Sequence, residues 1–285
     1  MDIGIGLPNT IPGTPGTVLV EWAQRAEQRG FAGLATIDRV AYPNYDSLIS
    51  LAAVAGATTR IGLFTNILIA PLYAPAMLAK AAASVDQVSN GRLTLGLAVG
   101  GRPDDFAAAG RDFHTRGRVF DETLDVLHRA WRGEPVAGGD IPVGPTPVRD
   151  QRVPILIGGT GDYSIRRIRE WGDGWTSGGQ PPEQAAPFAA RVRDAWQEAG
   201  RQGEPRIAAL TYFSLGDDDA SRQYLRHYYG FLGDYVDMIA EGALRTPQAV
   251  RDTIKGFEDG GFTEVYLDPT VASLDQIDRL ADVVL

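Results

Sequence analysis

The chain has 285 residues, of which 44% are hydrophobic, enough for a packed core in one large domain or two small ones. Its net charge is −9, and an acidic chain without a basic run is a poor nucleic-acid binder. It contains no cysteine, which excludes disulfides, thiolate metal sites and cysteine nucleophiles. The first residues lack the positive charge of a signal peptide, and no apolar run approaches the roughly 18–20 residues of a membrane span. We therefore expect a soluble cytoplasmic protein with neither a membrane nor a nucleic-acid partner.

Short apolar runs alternate with amphipathic stretches along the chain. The predicted strands are Ile3–Leu7, Gly33–Ile37, Ile61–Ile69, Leu93–Val99, Pro154–Ile157, Gly174–Ser177, Arg206–Ser214 and Val265–Leu267. The predicted helices are Val18–Arg29, Tyr45–Thr58, Pro75–Val88, a short one near Phe106, Phe120–Trp131, Tyr163–Trp171, Glu183–Ala199, a long region Ala220–Ala240, Pro247–Asp259 and Leu274–Val284. Residues 136–152 are rich in proline and glycine and are predicted to form a loop.

This order gives about eight βα units, which implies a parallel sheet. Eight units in roughly 250 residues are typical of a (β/α)8 TIM barrel. We predict one barrel domain over residues 1–285. The alternative is a doubly wound open sheet, which usually has fewer strands. In a barrel the functional site lies at the carboxyl ends of the strands.

The fifth predicted strand runs into a glycine-rich turn, in the sequence PILIGGTGDYSIRRI (residues 154–168). Unpaired backbone N–H groups and the helix dipole bind anions at such a turn. The hydroxyls of Thr160 and Ser164 are possible further donors. The dinucleotide fingerprint fails because the third glycine is missing, and the Walker motif is absent. A tight turn with a helix cap, without a ligand, is an equally good interpretation of these residues. We expect Asp162 to face solvent or to cap the helix.

Four segments in order carry a family resemblance. They are IGIGLP near the start, ATID at residues 35–38, the long stretch 61–101 with VDQVSNGR inside it, and PILIGGTG followed by WGDGW at 171–175. Together they resemble the luciferase-like oxidoreductases, the bacterial-luciferase superfamily. That superfamily includes flavin-dependent monooxygenases and enzymes that use the deazaflavin F420. Residues RTPQAV and GFTEVYLDPT resemble the usual close of these chains.

The resemblance implies a TIM barrel that holds the phosphate of FMN or F420, undecided between the two. The phosphate would bind the turn Gly158, Gly159, Thr160 and Gly161. A bulge in the third strand at Thr65, Asn66 and Ile67 would back the cofactor ring, with a non-proline cis peptide between Asn66 and Ile67. Gly100 and Arg102, after the fourth strand, are further cofactor-binding candidates. The resemblance also implies a homodimer.

The sequence departs from the family at two positions. Arg39 stands where many relatives have a histidine near the flavin, so only the adjacent Asp38 remains there as a catalytic candidate. Asp38 is also interpretable as a helix cap or a partner of Arg39. Val99 stands where several FMN-type relatives have arginine, which weakens FMN and leaves F420 open. Arg102 is a possible replacement for that charge, or a partner of Asp104 or Asp105.

His114 follows the fourth strand on the catalytic side, and we take it as a second candidate acid or base. A surface histidine without a role is the alternative. Residues Tyr224, Tyr228, Phe231, Tyr235 and Met238 form a stripe at helical spacing that includes His227, and the stripe is predicted to face a core, a subunit interface or the substrate pocket. We predict no metal site, and we interpret the aspartates at 217–219 as a helix cap.

The sequence thus predicts an oxidoreductase that uses reduced FMN or F420 for monooxygenation or hydride transfer on a small organic substrate. The reductant would arrive through a separate flavin or F420 reductase or by exchange of reduced cofactor. One alternative is a barrel isomerase or aldolase acting on a phosphorylated metabolite. It would need a base or a lysine at a strand end, but Lys80 and Lys255 both fall on predicted helices. A second alternative is a non-catalytic barrel that has lost its cofactor.

Overall fold

Eight parallel strands close into a barrel in sequence order, which confirms the (β/α)8 prediction. The structure, a computed structural model, describes residues 1–136 and 138–285. The predicted loop 136–152 includes Ala137, which lies outside the described residues. Each strand pairs with the next, and β1 pairs with β8 to complete the ring.

The strands and helices lie close to their predicted positions. The strands are β1 (Asp2–Gly6), β2 (Gly33–Thr36), β3 (Gly62–Ile69), β4 (Leu93–Ala98), β5 (Ile155–Gly158), β6 (Gly174–Thr176), β7 (Arg206–Phe213) and β8 (Glu264–Pro269). The helices are α1 (Gly16–Arg29), α2 (Ser47–Ala55), α3 (Pro75–Ser89), α4 (Pro103–Ala108), α5 (Arg116–Trp131), α6 (Asp162–Glu170), α7 (Pro182–Glu198), α8 (Asp218–Tyr229), α9 (Tyr235–Glu241), α10 (Pro247–Asp259) and α11 (Asp275–Val284).

The predicted continuous helical region Ala220–Ala240 is wrong in one respect, because the chain breaks it into α8 and α9. A 3-10 turn at Gly230–Leu232 separates the two helices, and Gly233 follows with φ of 58°. Glycine adopts a positive φ at no steric cost, so Gly233 permits the turn. The start of α8 is as expected, since the Asp217 carboxylate accepts a hydrogen bond from the N–H of Ala220 at 3.1 Å.

Side chains alternate between the two faces of each strand, and this divides the core into two layers. Outward-facing residues pack against the helices together with Trp22, Trp131 and Trp175. The barrel interior is filled by Phe64, Tyr266, Ala35, Leu156 and Ala208. Gly33 makes room for the largest of these, because a Cβ there would lie 2.7 Å from the Tyr266 Oη.

The amino end of the barrel is closed by a partly buried ion pair. Arg206 donates through Nε and Nη2 to the two carboxylate oxygens of Glu264, each at 2.9 Å, and through Nη1 to Thr94 at 3.0 Å. Such bidentate pairs fix geometry at both partners. Within the described residues, the helices are all too short or too polar to cross a membrane.

Candidate functional site

A bulge interrupts β3 at its carboxyl half, where the register with β4 shifts between Thr65 and Leu68. The peptide bond between Asn66 and Ile67 is cis, as predicted. The Thr65 hydroxyl donates to the Gly96 carbonyl at 2.9 Å and accepts from the Gly96 N–H at 3.0 Å. Thr65 is completely buried. Its hydroxyl therefore replaces ladder bonds that the bulge removes, and Thr65 contributes to the site by holding the backbone.

The bulge brings Asn66 and Ile67 to the inside of the barrel. The Asn66 Oδ1 accepts a hydrogen bond from the Thr176 hydroxyl of β6 at 2.7 Å. The Asn66 Nδ2 is buried and has no hydrogen-bond partner among the residues that the structure describes. A Cβ at Gly158 would lie 3.0 Å from the Ile67 Cδ1, so a larger residue at 158 would crowd Ile67. Ile67 thus provides a small apolar surface beside the Asn66 amide, whose Nδ2 is a free donor.

The glycine-rich turn after β5 forms a fixed and exposed loop. Gly159 has φ of 92°, and the Trp175 indole donates to its carbonyl at 2.8 Å. The Ser164 hydroxyl donates to the Gly158 carbonyl at 3.1 Å, so it serves the turn rather than a ligand. Within the described chain, the N–H groups of residues 159–161 donate no hydrogen bond.

The helix after this turn, α6, starts at Asp162, so its positive dipole end points at the exposed amides. Asp162 faces solvent, as expected, and pairs there with Arg191 at 2.6 Å. This pairing compensates the one carboxylate at the start of α6. The arrangement suits a bound anion.

Arg39, not Arg102, binds the two aspartates of α4. The Arg39 Nη2 contacts the Asp104 carboxylate at 2.6 Å, and Nε lies 3.5 Å from the Asp105 Oδ2. Asp105 is fully buried and also accepts hydrogen bonds from two backbone N–H groups, those of Val40 and Ala41, at 2.9 and 2.7 Å. The alternative that Arg102 pairs with Asp104 or Asp105 is therefore wrong. The alternative that Asp38 pairs with Arg39 is wrong as well.

Arg102 lies among aromatic rings at the barrel mouth. Its Cζ is 4.4 Å from the ring centroid of Phe231 and 4.9 Å from that of Tyr228, distances typical of cation–π contacts. It makes one long hydrogen bond, 3.4 Å, to the Tyr228 hydroxyl, and no ion pair with any described residue. The guanidinium thus keeps its charge and most of its donors available to an anion.

The aromatic stripe divides between core and surface. Tyr224 and Tyr228 are buried in a cluster with Leu210 and Tyr212, whereas Phe231 is about half exposed. The other two members, Tyr235 and Met238, are also exposed, and His227 bonds to the Tyr42 hydroxyl at 2.7 Å near the surface. The buried residues of the stripe form an aromatic wall above β7, and its exposed residues lie outside the core.

Asp38 is buried at the end of β2, 4% exposed. Its carboxylate accepts from the Ile69 N–H at 3.0 Å and lies 3.5 Å from the Ser47 hydroxyl. Burial raises the pKa of Asp38 to about 6, against the opposing effect of the Ile69 hydrogen bond. A carboxyl with this pKa can exchange a proton near neutral pH.

His114 and Gly100 fall in different surroundings. His114 is exposed in a 3-10 turn, and its ring lies edge-on to the ring of Phe113, with the two centroids 6.0 Å apart. The structure does not bring it to the buried side chains of Asn66 and Thr176. Gly100 has φ of 74°, and a Cβ there would lie 2.5 Å from the Ile69 Cγ2. Only glycine fits the turn that ends β4.

Sequence reasoning assigned no role to Asp268, at the carboxyl end of β8. Asp268 is 3% exposed, and neither of its carboxyl oxygens has a hydrogen-bond partner among the described residues. Strand alternation places it inward, on the same face as Tyr266. The position of Asp268 within β8 was the feature of the sequence that could have identified it as a candidate site residue. Groups of residues able to hold a metal ion are absent from the described part of the chain.

Several known proteins are similar to this chain in sequence or in fold. The uncharacterised protein Rv0940c of Mycobacterium tuberculosis is 29% identical over 233 residues, covering 72% of this chain and 81% of its own. An F420-dependent secondary alcohol dehydrogenase, solved with an F420–acetone adduct, superposes with a TM-score of 0.81 at 19% identity, over 99% of this chain and 98% of its own.

A second solved structure is the oxygenating constituent of 3,6-diketocamphane monooxygenase of Pseudomonas putida, in complex with FMN. It superposes with a TM-score of 0.75 at 16% identity, over 100% of this chain and 98% of its own. At these identities the two structures show a shared fold. The sequence model of the luciferase-like monooxygenases matches residues 1–260, and the chain belongs to that family.

Proposed function

We propose that this protein is an oxidoreductase that uses reduced FMN or F420 on a small organic substrate. The observation that carries the proposal is the turn at residues 159–161, whose three N–H groups are unpaired within the described chain and lie at the start of α6. A cofactor phosphate is an anion of the size and charge that such a turn binds. The membership of the family supports the same assignment.

The residues present fit a flavin or deazaflavin. Gly161 has open space where a Cβ would stand, so a phosphate can approach its backbone. Ile67 offers an apolar surface, and the unpaired Asn66 Nδ2 is a donor for a ring carbonyl. When bound, the cofactor supplies a hydride or activates oxygen, which side chains alone do not do.

The chain's own residues would then bind and orient. Asp38 is proposed as an acid or base near neutral pH, because burial raises the pKa of its carboxyl to about 6. Arg102 is proposed to bind an anionic part of the cofactor, since Asp104 and Asp105 face Arg39. His114 stays a proposed acid or base, although its exposed position makes Asp38 the stronger candidate.

The isomerase or aldolase alternative lacks a suitable lysine. Lys80 lies on α3 and donates to the Gly144 carbonyl at 2.7 Å, and Lys255 lies on α10 and pairs with Asp259 at 2.9 Å. Both helices belong to the outer layer of the barrel, so neither ammonium group stands at a strand end. No observation here favours that function.

The deciding experiment is anaerobic equilibrium titration of the protein with FMN, reduced FMN, F420 and reduced F420, followed by absorbance and fluorescence. Selective binding of F420 forms would assign hydride transfer, and selective binding of reduced FMN would assign oxygen chemistry with a separate reductase. Binding of none of the four would overturn the proposed function.

A charge variant tests where the phosphate lies. Thr160→Glu adds a carboxylate to the exposed turn, and we expect at least about tenfold weaker cofactor binding from like-charge repulsion. Gln197→Glu, an exposed change on α7, is the matched control. Equal affinity in both variants would place the phosphate elsewhere. The homodimer stays a prediction of the resemblance, to be measured by sedimentation equilibrium.

A further inference from the structure

The inference concerns Asp268 and rests on the proposed function. On β8 the inward positions are Glu264, Tyr266 and Asp268, from the amino end to the carboxyl end. Glu264 is held by Arg206 and Tyr266 fills the barrel interior. Asp268 is therefore the inward residue at the catalytic mouth.

The Asp268 carboxyl is packed in tightly but without polar partners. A Cβ on Gly6 of β1 would overlap its Oδ1, so the carboxyl occupies the space where a β1 side chain would stand. On the other side β7 places Tyr212 in register with Asp268. The Tyr212 hydroxyl bonds to the Tyr229 hydroxyl at 2.6 Å, so this pair has its own hydrogen bond. Both Asp268 oxygens are left without a donor from the described chain.

An ionised carboxylate in such a place is costly, because neither a cation nor a donor from the described residues compensates its charge. The titratable side chains facing it are Tyr212 from β7 and Tyr229 from α8, and burial raises the pKa of both, which keeps them neutral. Burial also raises the pKa of Asp268 well above its usual range. Geometry and electrostatics thus agree on a neutral carboxylic acid.

A neutral carboxylic acid carries one O–H donor, and here that donor has no acceptor among the described residues. Asp38, another buried carboxyl at the mouth, differs because a backbone N–H and a nearby hydroxyl already face it. Buried unpaired donors are rare in folded proteins and require an explanation. The wall above Asp268 is aromatic, formed by Tyr212, Tyr229 and their neighbours, and such surroundings favour a compact apolar molecule with one acceptor oxygen.

We propose that Asp268 binds the carbonyl oxygen of a small ketone or aldehyde substrate by donating its carboxylic O–H, and that it polarises this carbonyl. A carbonyl is an uncharged acceptor, which suits a donor in a site without a compensating cation. Polarisation makes the carbonyl carbon more electrophilic, which serves either hydride addition or attack by a nucleophile. Reduction and oxygen insertion would both use a carbonyl polarised in this way.

The first test measures protonation without any cofactor. Protein labelled with carbon-13 at the aspartate carboxyls is titrated by NMR, with Asp268→Asn assigning the signal and the exposed Asp194→Asn on α7 as control. We expect one carboxyl to stay neutral at pH 7 and to vanish only in Asp268→Asn. Because the wild type alone reveals such a signal, a poorly folded variant leaves the test intact. If every carboxyl is ionised at pH 7, the proposal is overturned.

The second test measures carbonyl recognition. Cyclohexanone is compared with methylenecyclohexane, which has the same shape without the oxygen, in the wild type and in Asp268→Leu, whose side chain has a similar size and no donor. We expect the wild type to bind the ketone at least tenfold more tightly than the alkene, and the variant to lose that preference. An unchanged preference in the variant, or no preference in the wild type, overturns the proposal.

Cofactor titrations on the same preparations separate the two ideas. Cofactor binding without ketone preference refutes the role of Asp268 and leaves the proposed function standing. Ketone preference without binding of FMN or F420 in any form refutes the proposed function and retains the carbonyl site.

Discussion

Asp38 and Asp268, two of the buried aspartates at the barrel mouth, should affect stability differently as pH changes. Asp38 and Asp268 hold their protons more tightly in the folded state than in the unfolded chain. Each therefore contributes stability that is present at low pH and is lost as pH rises from 3.8 to the pKa of the folded state. The loss amounts to about 1.4 kcal/mol per pH unit for each group.

The magnitude for Asp38 follows from its surroundings. Burial, opposed by the Ile69 N–H and assisted by the nearby Asp46 and Asp105, moves its pKa from 3.8 to about 6. That shift is worth about 3 kcal/mol, so Asp38→Asn should gain about this much stability over wild type between pH 4 and pH 6 and nothing more above it. The amide oxygen of asparagine can still accept from Ile69, which keeps the backbone contact.

Asp268→Asn should behave differently above pH 6. Because no described residue donates to Asp268 and opposes the effect of burial, we expect the gain over wild type to keep growing, with a slope of about 1.4 kcal/mol per pH unit, past the pH where the Asp38→Asn curve has become flat. Urea unfolding followed by circular dichroism at a series of pH values gives both curves. If the two differences from wild type flatten at the same pH, or if neither changes with pH, this reasoning is refuted.

Three further variants test separate contacts. Arg39→Met leaves Asp105 buried without its guanidinium partner, so we expect a loss of about 3–5 kcal/mol in unfolding free energy. Adding Asp105→Asn should recover part of that loss. If the effects of the two substitutions on the free energy of urea unfolding are strictly additive, this expectation is contradicted. Gly159→Ala forces φ of 92° on alanine and puts a Cβ 2.9 Å from a hydroxyl, so it should weaken FMN or F420 binding in the titration, whereas Gly200→Ala, with φ of 65° and open space, should not. For Glu27, burial alone would raise its pKa, but three backbone N–H groups lower it to about 2. Wild type should therefore lose more stability than Glu27→Gln as pH falls from 4.5 towards 2, and equal losses would argue against a role of these hydrogen bonds in stability.

The alternation of apolar runs and helices was sufficient to predict the barrel, because side-chain periodicity is a local property. The bulge at Asn66 and Ile67 came from the family resemblance and matches the register shift in β3. Prediction was wrong where helical periodicity continued through a turn. Residues 220–240 keep their spacing across Gly230 and Gly233, but the backbone turns there.

The pairing of charges was not accessible from the sequence. Asp104 and Asp105 are neighbours of Arg102 in the chain, yet at the start of α4 they face Arg39, about 65 residues away. The sequence did not identify Asp268 as a site residue, for a similar reason. Its isolation depends on Gly6 of β1 and Tyr212 of β7, and no pattern local to β8 shows that both leave its carboxyl without a donor.

The position of Arg102 has a consequence for how an anionic ligand reaches the protein. The chain carries a net charge of −9, so at long range it repels a phosphate-bearing molecule. Arg102 attracts the same molecule only within the last few ångströms, because a Debye length at physiological ionic strength is about 8 Å. Added salt should therefore speed the encounter by screening the distant repulsion, while it changes the dissociation rate little. The association rate of such a ligand would rise with ionic strength, the reverse of ordinary electrostatic steering.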